Sequence, residues 1–149
     1  MAASRESRET DLEAILGGKA VVYGRRGRGG ELASAVRDGL PVRAFENVAS
    51  ALDLSGAELA GLIGLAPRTL ARRRHEKTLS ALESDRLVGI ARIASLTEET
   101  LGSREHARGW LREVNRALGS VSPLTCLDTE PGRRRVEEVL LQISHGIFS

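Results

Sequence analysis

The sequence predicts an all-α fold: a helix-turn-helix module followed by a C-terminal helical domain. Three observations predict it. Apolar residues recur at spacings of three and four along most of the chain, the mark of one buried helical face. Two capping-box patterns, Ser55 with Glu58 and Ser80 with Glu83, announce helix starts. Strand signals are nearly absent, with "AVVY" (20–23) the only short β-like run.

The elements follow in order. The opening "MAASRESRETDLEAILGG" reads as a polar tail with one amphipathic patch, Leu12, Ile15 and Leu16. It has no apolar h-region, so it is not read as a secretory signal. Next comes "GRRGRGG" (24–30), which has the composition of a phosphate-binding loop but not its spacing. It lacks G-x-x-x-x-G-K-[ST], and Gly27-x-Gly29 has no third glycine at position 32. It reads as a flexible basic linker. Residues 30–39 form a short helix closed by Gly39 before Pro41. Residues 42–53 place Val42, Phe45, Val48, Ala49 and Leu52 on one face. Ser55 caps "GAELAGLI", which Gly64 ends, and Pro67 suits the first turn of "PRTLARRRHE". Ser80 opens a long helix over 81–101, with Leu82, Leu87, Ile90, Ala94 and Leu101 as its buried stripe and Gly102 as its stop. A helix over 103–118 centres on Trp110, Leu111 and Val114 and ends at Gly119. "SVSPLTCLDTEPG" connects, with at most a short helical turn. The last helix spans 130–145 and stops at Gly146. Its seam of Val136, Val139, Leu140, Ile143 and Ile147 is expected to pack on the Trp110 helix.

Composition bounds the function. A chain of 149 residues makes one ordinary domain or two small helical ones. Its 41% hydrophobic content supports a core, and 28% charged residues argue for a soluble protein. No apolar run approaches the roughly 20 residues of a membrane span. Cys126 is the sole cysteine, so no internal disulfide forms, which fits a reducing, cytoplasmic location. His75, His106 and His145 show no metal spacing. Cys126 would need a base such as His145 brought beside it to act as a nucleophile, and nothing in the spacing arranges that. No enzyme activity, cofactor or metal is expected.

The basic residues point elsewhere. Of 22, all but Lys19 and Lys77 are arginine, and they cluster in "GRRGRGG", "RTLARRR" and "GRRRV". Arginine suits planar bidentate partners such as phosphate and guanine. Composition alone leaves nucleic-acid binding and a GC-rich genome equally open. The stretch "LSGAELAGLIGLAPRTLARRR" (54–74) narrows this. Ala60 is small where two helices cross, Gly64 allows a left-handed turn, and Leu70 pins the second helix onto the first. Leu59, Leu62, Ile63 and Leu65 complete a small core. The second helix is then expected to enter the major groove. Arg68, Thr69, Arg72 and Arg73 are expected on one outward face toward base edges, with Arg74 and Lys77 toward phosphates. The alternative is a solvated basic helix in an ordinary hairpin. Ala66 sits where a Ser, Thr or Asp cap is preferred.

In the second half, Trp110 is expected to anchor a core. Glu130 and Pro131 suit the first turn of the last helix, but Arg133, Arg134 and Arg135 follow directly. They are either a solvated face or a contact with an acidic partner or DNA. Gly146 falls where a left-handed residue ends a helix, and Ile147 can fold back on the last turn. Phe148, one of only four aromatics with Tyr23, Phe45 and Trp110, is explained by neither role. Its ring needs a pocket in the same fold, in a dimer mate or in another protein.

The ordered set of features resembles the Xre/MbcA/ParS-like antitoxins of bacterial type II toxin–antitoxin systems. Arg68-Thr69-Leu70 and Arg72, Leu79-Ser80, and Glu83-Ser84-Asp85-Arg86-Leu87 carry the first part. Ala107, Trp110-Leu111, Asn115, Ala117-Leu118-Gly119, Pro123-Leu124 and Leu127 carry the middle. Thr129-Glu130, Gly132, Val136, Ile143 and His145-Gly146-Ile147-Phe148-Ser149 complete it, over about residues 40–149. Where members often have "NPALGG", this chain has Asn115-Arg116-Ala117-Leu118-Gly119-Ser120, so the turn there is expected to differ. The resemblance implies an Xre/Cro-like module that binds operator DNA in its own promoter. It implies a C-terminal domain that blocks the active site of a RES-domain toxin, an NAD-consuming protein with an ADP-ribosyltransferase-like fold. It also implies a homodimer within a larger toxin–antitoxin hetero-oligomer. The expected division is an N-terminal segment 1–40, a DNA-binding region 41–79 and a toxin-binding domain 80–149. The expected toxin contacts are Arg133, His145, Gly146, Ile147, Phe148 and Ser149. The alternative function is a dimeric helix-turn-helix regulator without a toxin.

Overall fold

The computed structural model describes residues 5–24 and 30–146. Among these, nine α-helices account for most of the chain: α1 Arg5–Leu16, α2 Lys19–Tyr23, α3 Leu32–Asp38, α4 Val42–Leu52, α5 Gly56–Leu62, α6 Pro67–Glu76, α7 Ala81–Leu101, α8 Arg104–Arg112 and α9 Glu130–Ser144. Two 3-10 turns, Arg116–Leu118 and Pro123–Cys126, lie between α8 and α9. No strand occurs among the described residues, and no helix is long and apolar enough to cross a membrane.

Helix α7 is the axis on which the others pack. Leu87, Ile90, Ala91 and Ile93 are wholly buried, which a residue set spanning more than one stripe achieves only when neighbours lie on several sides. Those neighbours are α1, α3, α4, α8 and α9. The expected stripe is corrected at one end: Leu82 is 59% exposed, because it sits in the first turn, outside the ring of neighbours. Ser80 caps α7 with both capping-box bonds formed, and Gly102 ends it in a left-handed conformation.

Four further expectations are corrected. The N-terminus is a helix, not a tail: Leu12, Ile15 and Leu16 are buried, and α1 packs on α7 and α4. Its carboxyl end is held by Asn47, whose Nδ2 donates to the Leu16 carbonyl at 3.2 Å. The β-like "AVVY" is helical within α2. A lone strand here has no partner ladder, whereas Val21 and Val22 both donate to the Gly18 carbonyl at 3.1 Å. Tyr23 donates to the buried Glu13 Oε1 at 2.8 Å. Burial first, then that bond, pushes the phenol above its ordinary range. The linker arginines that follow lie outside the described residues.

The helix expected over 103–118 stops at Arg112. Asn115 competes with it: its side chain accepts from the Ala117 amide at 2.9 Å and starts a separate turn. Val114 is consequently 69% exposed and Trp110 packs at the edge of the core. The last helix also finds a different partner. Val136, Val139 and Leu140 are buried chiefly against α7 and the 3-10 turns rather than along α8.

The chain entering α4 and the chain leaving α6 are tied to each other. Val42 donates to the Lys77 carbonyl at 3.0 Å and Leu79 to the Leu40 carbonyl at 2.8 Å. Ser84 joins them to α7: its hydroxyl accepts from the Leu40 amide at 2.8 Å.

Candidate functional site

Helices α5 and α6 form the crossing that the spacing predicts. Ala60, Leu59, Ile63, Leu65 and Leu70 are all at or below 5% exposure, so the small core is closed. Gly64 takes φ +69, and a Cβ there would also meet Arg86 Nη1 at 2.9 Å. That guanidinium donates to the Ile63 carbonyl at 3.2 Å, so α7 holds the turn from behind. Ser55 caps α5 with both capping-box bonds formed. The backbone and hydroxyl of Ser55, then the charge of Arg112, hold the Glu58 carboxyl below its ordinary value. Ala66 caps α6 without a side-chain bond, and Pro67 takes the first helical position.

The outward stripe of α6 differs from the expected one. Arg68, Ala71, Arg72 and His75 are exposed, at i, i+3, i+4 and i+7, whereas Thr69 is half-buried. Arg73 is turned inward with only 18% of its side chain exposed. Its Nε donates to Glu83 Oε1 at 2.8 Å, its Nη2 to Glu83 Oε2 at 3.1 Å and its Nη1 to Glu76 Oε2 at 3.1 Å. Burial opposes charge on Glu83, but the bonds from Arg73 and Ser80 outweigh it and hold the carboxyl below its ordinary value. Arg74 Nε donates to Glu46 Oε1 at 3.0 Å. Positions 69 and 73 lie about 100° round the helix from 68 and 72, which turns them toward the start of α7.

This separates the candidate arginines by how easily each can leave its partner. Arg68 has no hydrogen bond or ion pair among the described residues. Arg72 sits 3.7 Å from Glu76 with 60% of its side chain exposed. An exposed i,i+4 pair contributes about 0.3–0.5 kcal/mol, against about 1–3 kcal/mol for a bidentate guanine contact. Arg72 can therefore leave its partner at small cost, whereas Arg73 cannot, because its partly buried fork is already matched.

The C-terminal half engages its arginines differently. Arg108 Nε donates to the Ala51 carbonyl at 2.9 Å and its Nη2 to Ser50 at 2.7 Å. Arg112 Nη2 donates to Asp53 at 2.6 Å. Two arginines one turn apart on α8 thus bind carbonyls at the end of α4, of which that of Ser50 also accepts from the Asp53 amide at 3.2 Å. Arg133 corrects an expectation too. It is buried, its Nη1 donates to the Leu127 carbonyl at 2.9 Å, and its chain lies against Gly89, where a Cβ would meet Nε at 2.8 Å. Burial first, with the charges of Arg92 and Arg86, lowers its pKa from the ordinary value. Only 9% of its surface stays exposed where α9 packs on α7. Arg134 pairs with Glu130 at 2.7 Å and stays exposed. His145 and Gly146 are exposed at the end of α9. Beside them a groove of about 320 Å³ is lined by Val114, Ala117, Val139 and Ile143. Ile147, Phe148 and Ser149 lie outside the described residues. No group of three or more His, Cys, Asp or Glu among those described could hold a metal ion.

Two family models match the chain. Residues 31–92 match the antitoxin Xre-like helix-turn-helix domain, and residues 96–146 match the antitoxin Xre/MbcA/ParS C-terminal toxin-binding domain. The chain belongs to the Xre/MbcA/ParS-like antitoxins. It is similar to antitoxin Xre of Yersinia enterocolitica, 27% identical over 124 residues covering 82% of this chain and 84% of that one. It is similar to antitoxin Xre of Pseudomonas putida, 36% identical over 80 residues covering 53% and 50%. It is also similar to the Prs ADP-ribosylating antitoxin of a Sphingobium species, 25% identical over 124 residues covering 76% and 78%. In this antitoxin the two matched domains meet inside α7, which explains why one helix buries side chains from both. Helices α1 and α2 precede both models and add a layer against α7 and α4.

Sequence reasoning missed Ala71 and His75 on the outward stripe. The available signal was i,i+3,i+7 spacing from Arg68, which adjacency to the arginine run obscured.

Proposed function

We propose that this antitoxin neutralises a RES-domain, NAD-consuming toxin by occluding its active site with the C-terminal region, and represses its own promoter through α5 and α6. The toxin-binding match over 96–146 carries the reading, because it runs to the exposed end of α9. The Prs ADP-ribosylating antitoxin supports the toxin class: its name joins antitoxin to ADP-ribosylation, chemistry that consumes NAD. Residues 80–149 serve toxin binding, 41–79 serve DNA binding, and 1–40 serve oligomerisation of a homodimer within a larger toxin–antitoxin assembly in the cytoplasm. The chain supplies no catalytic group. His145, Gly146, Ile147, Phe148 and Ser149 supply the plug, with a ring and a hydroxyl suited to a polar-rimmed pocket. Arg68 and Arg72 supply the base contacts.

Co-expression with a RES toxin tests this. The full chain restores growth, and deletion of Ile147–Ser149 abolishes rescue while thermal unfolding is unchanged. Full rescue by the truncated chain would overturn the plug.

A further inference from the structure

The outward stripe of α6 carries more information than a charge. Arg68 and Arg72 are one turn apart, about 6 Å along the helix axis, which matches about two base-pair steps of duplex DNA. Arg73 is held by Glu83, Thr69 is half-buried, and Arg74, about 200° round the helix from Arg72, points to another face beside Glu46, so none of these three competes for the groove floor. Ala71 is exposed between the two outward arginines. Its methyl can neither donate nor accept a hydrogen bond, and its shortness lets the helix backbone come close to the bases. In the major groove only thymine presents a methyl group to such a surface, while guanine presents paired acceptors to a guanidinium.

From this stripe, and resting on the promoter-binding reading, we infer that α6 reads a half-site in which two guanines are separated by one base pair whose thymine methyl meets Ala71. His75, at the far end of the stripe, faces the phosphates at the groove wall.

The test is selection from a random duplex library with the full chain, followed by binding to the selected site. The selected half-site should contain two guanines with one pair between them. Replacing either guanine by adenine should weaken binding about ten- to hundred-fold. Arg68→Ala should abolish the preference at one of these positions and Arg72→Ala at the other. Replacing the intervening thymine by uracil removes one methyl and should weaken wild-type binding about fourfold, and Ala71→Gly should bind both duplexes equally. The uracil comparison uses the unaltered protein, so it stands even where a variant folds poorly. Selected sites without the two-step guanine spacing, or wild-type binding indifferent to uracil, would overturn the inference while leaving promoter binding intact. Retention of no duplex at all would overturn both.

Discussion

Helices α6 and α8 are both short and arginine-rich, "PRTLARRRHE" and "REHARGWLR", yet their guanidiniums have opposite destinations. On α8, Arg108 and Arg112 turn back to the carbonyls of Ser50, Ala51 and Asp53. On α6, Arg68 and Arg72 face outward, Arg72 with only an exposed pair to Glu76 on its own helix, whereas Arg73 and Arg74 reach acids on other elements. Arginine content alone therefore does not measure readiness to bind nucleic acid. What matters is whether a guanidinium already has a planar or carbonyl partner in its own fold.

The largest expected effect comes from removing the acid that keeps Arg73 inside. Glu83→Ala should lower stability by about 3 kcal/mol, by losing both a helix cap and one side of a partly buried ion pair, measured by chemical denaturation. The same carboxyl should make stability pH-dependent. Glu83 and Glu58 titrate below their ordinary 4.5 in the folded chain. The stability they add is then complete above that value and is lost as pH falls through the lower folded values. A Tm that does not drop on acidification, or drops as steeply in Glu83→Gln, would contradict this.

Next in size is the α8 clamp. Arg108→Met with Arg112→Met should cost about 2 kcal/mol, because three charge-assisted bonds to backbone carbonyls are lost. Arg68→Met with Arg72→Met should change stability by no more than about 0.5 kcal/mol. Equal losses in the two pairs would erase the contrast between the helices.

The smallest effect lies in the turn after α8. Where family members often carry a second glycine, Ser120 takes φ +63, a strained conformation for a residue with a Cβ. Ser120→Gly should raise stability by about 0.5–1 kcal/mol, seen as a small rise in Tm. A fall would mean that the hydroxyl matters more than the strain.

Much of the fold was legible. Ser55, Ser80, Gly64 and Gly102 start or stop helices through bonds to residues three or four positions away, and such local chemistry is written in spacing. The missed helix end at Arg112 is also local, but there the Asn115 turn competed with a continuing apolar period, and periodicity hid it. At the candidate site, Arg68 and Arg72 were legible from the helix-turn-helix spacing. The inward turn of Arg73 and the burial of Arg133 were not, because each depends on the groove presented by α7.

By itself, then, the sequence determined the helical class, the caps and turns, and the ordered motif set that identifies the antitoxin family. Each rests on interactions within about one helical turn or on residue order along the chain. Only the tertiary structure decided which arginines remain available. Arg108 and Arg112 meet carbonyls 57 to 59 residues away, and no local period records which guanidinium the folded chain will bring to an acceptor.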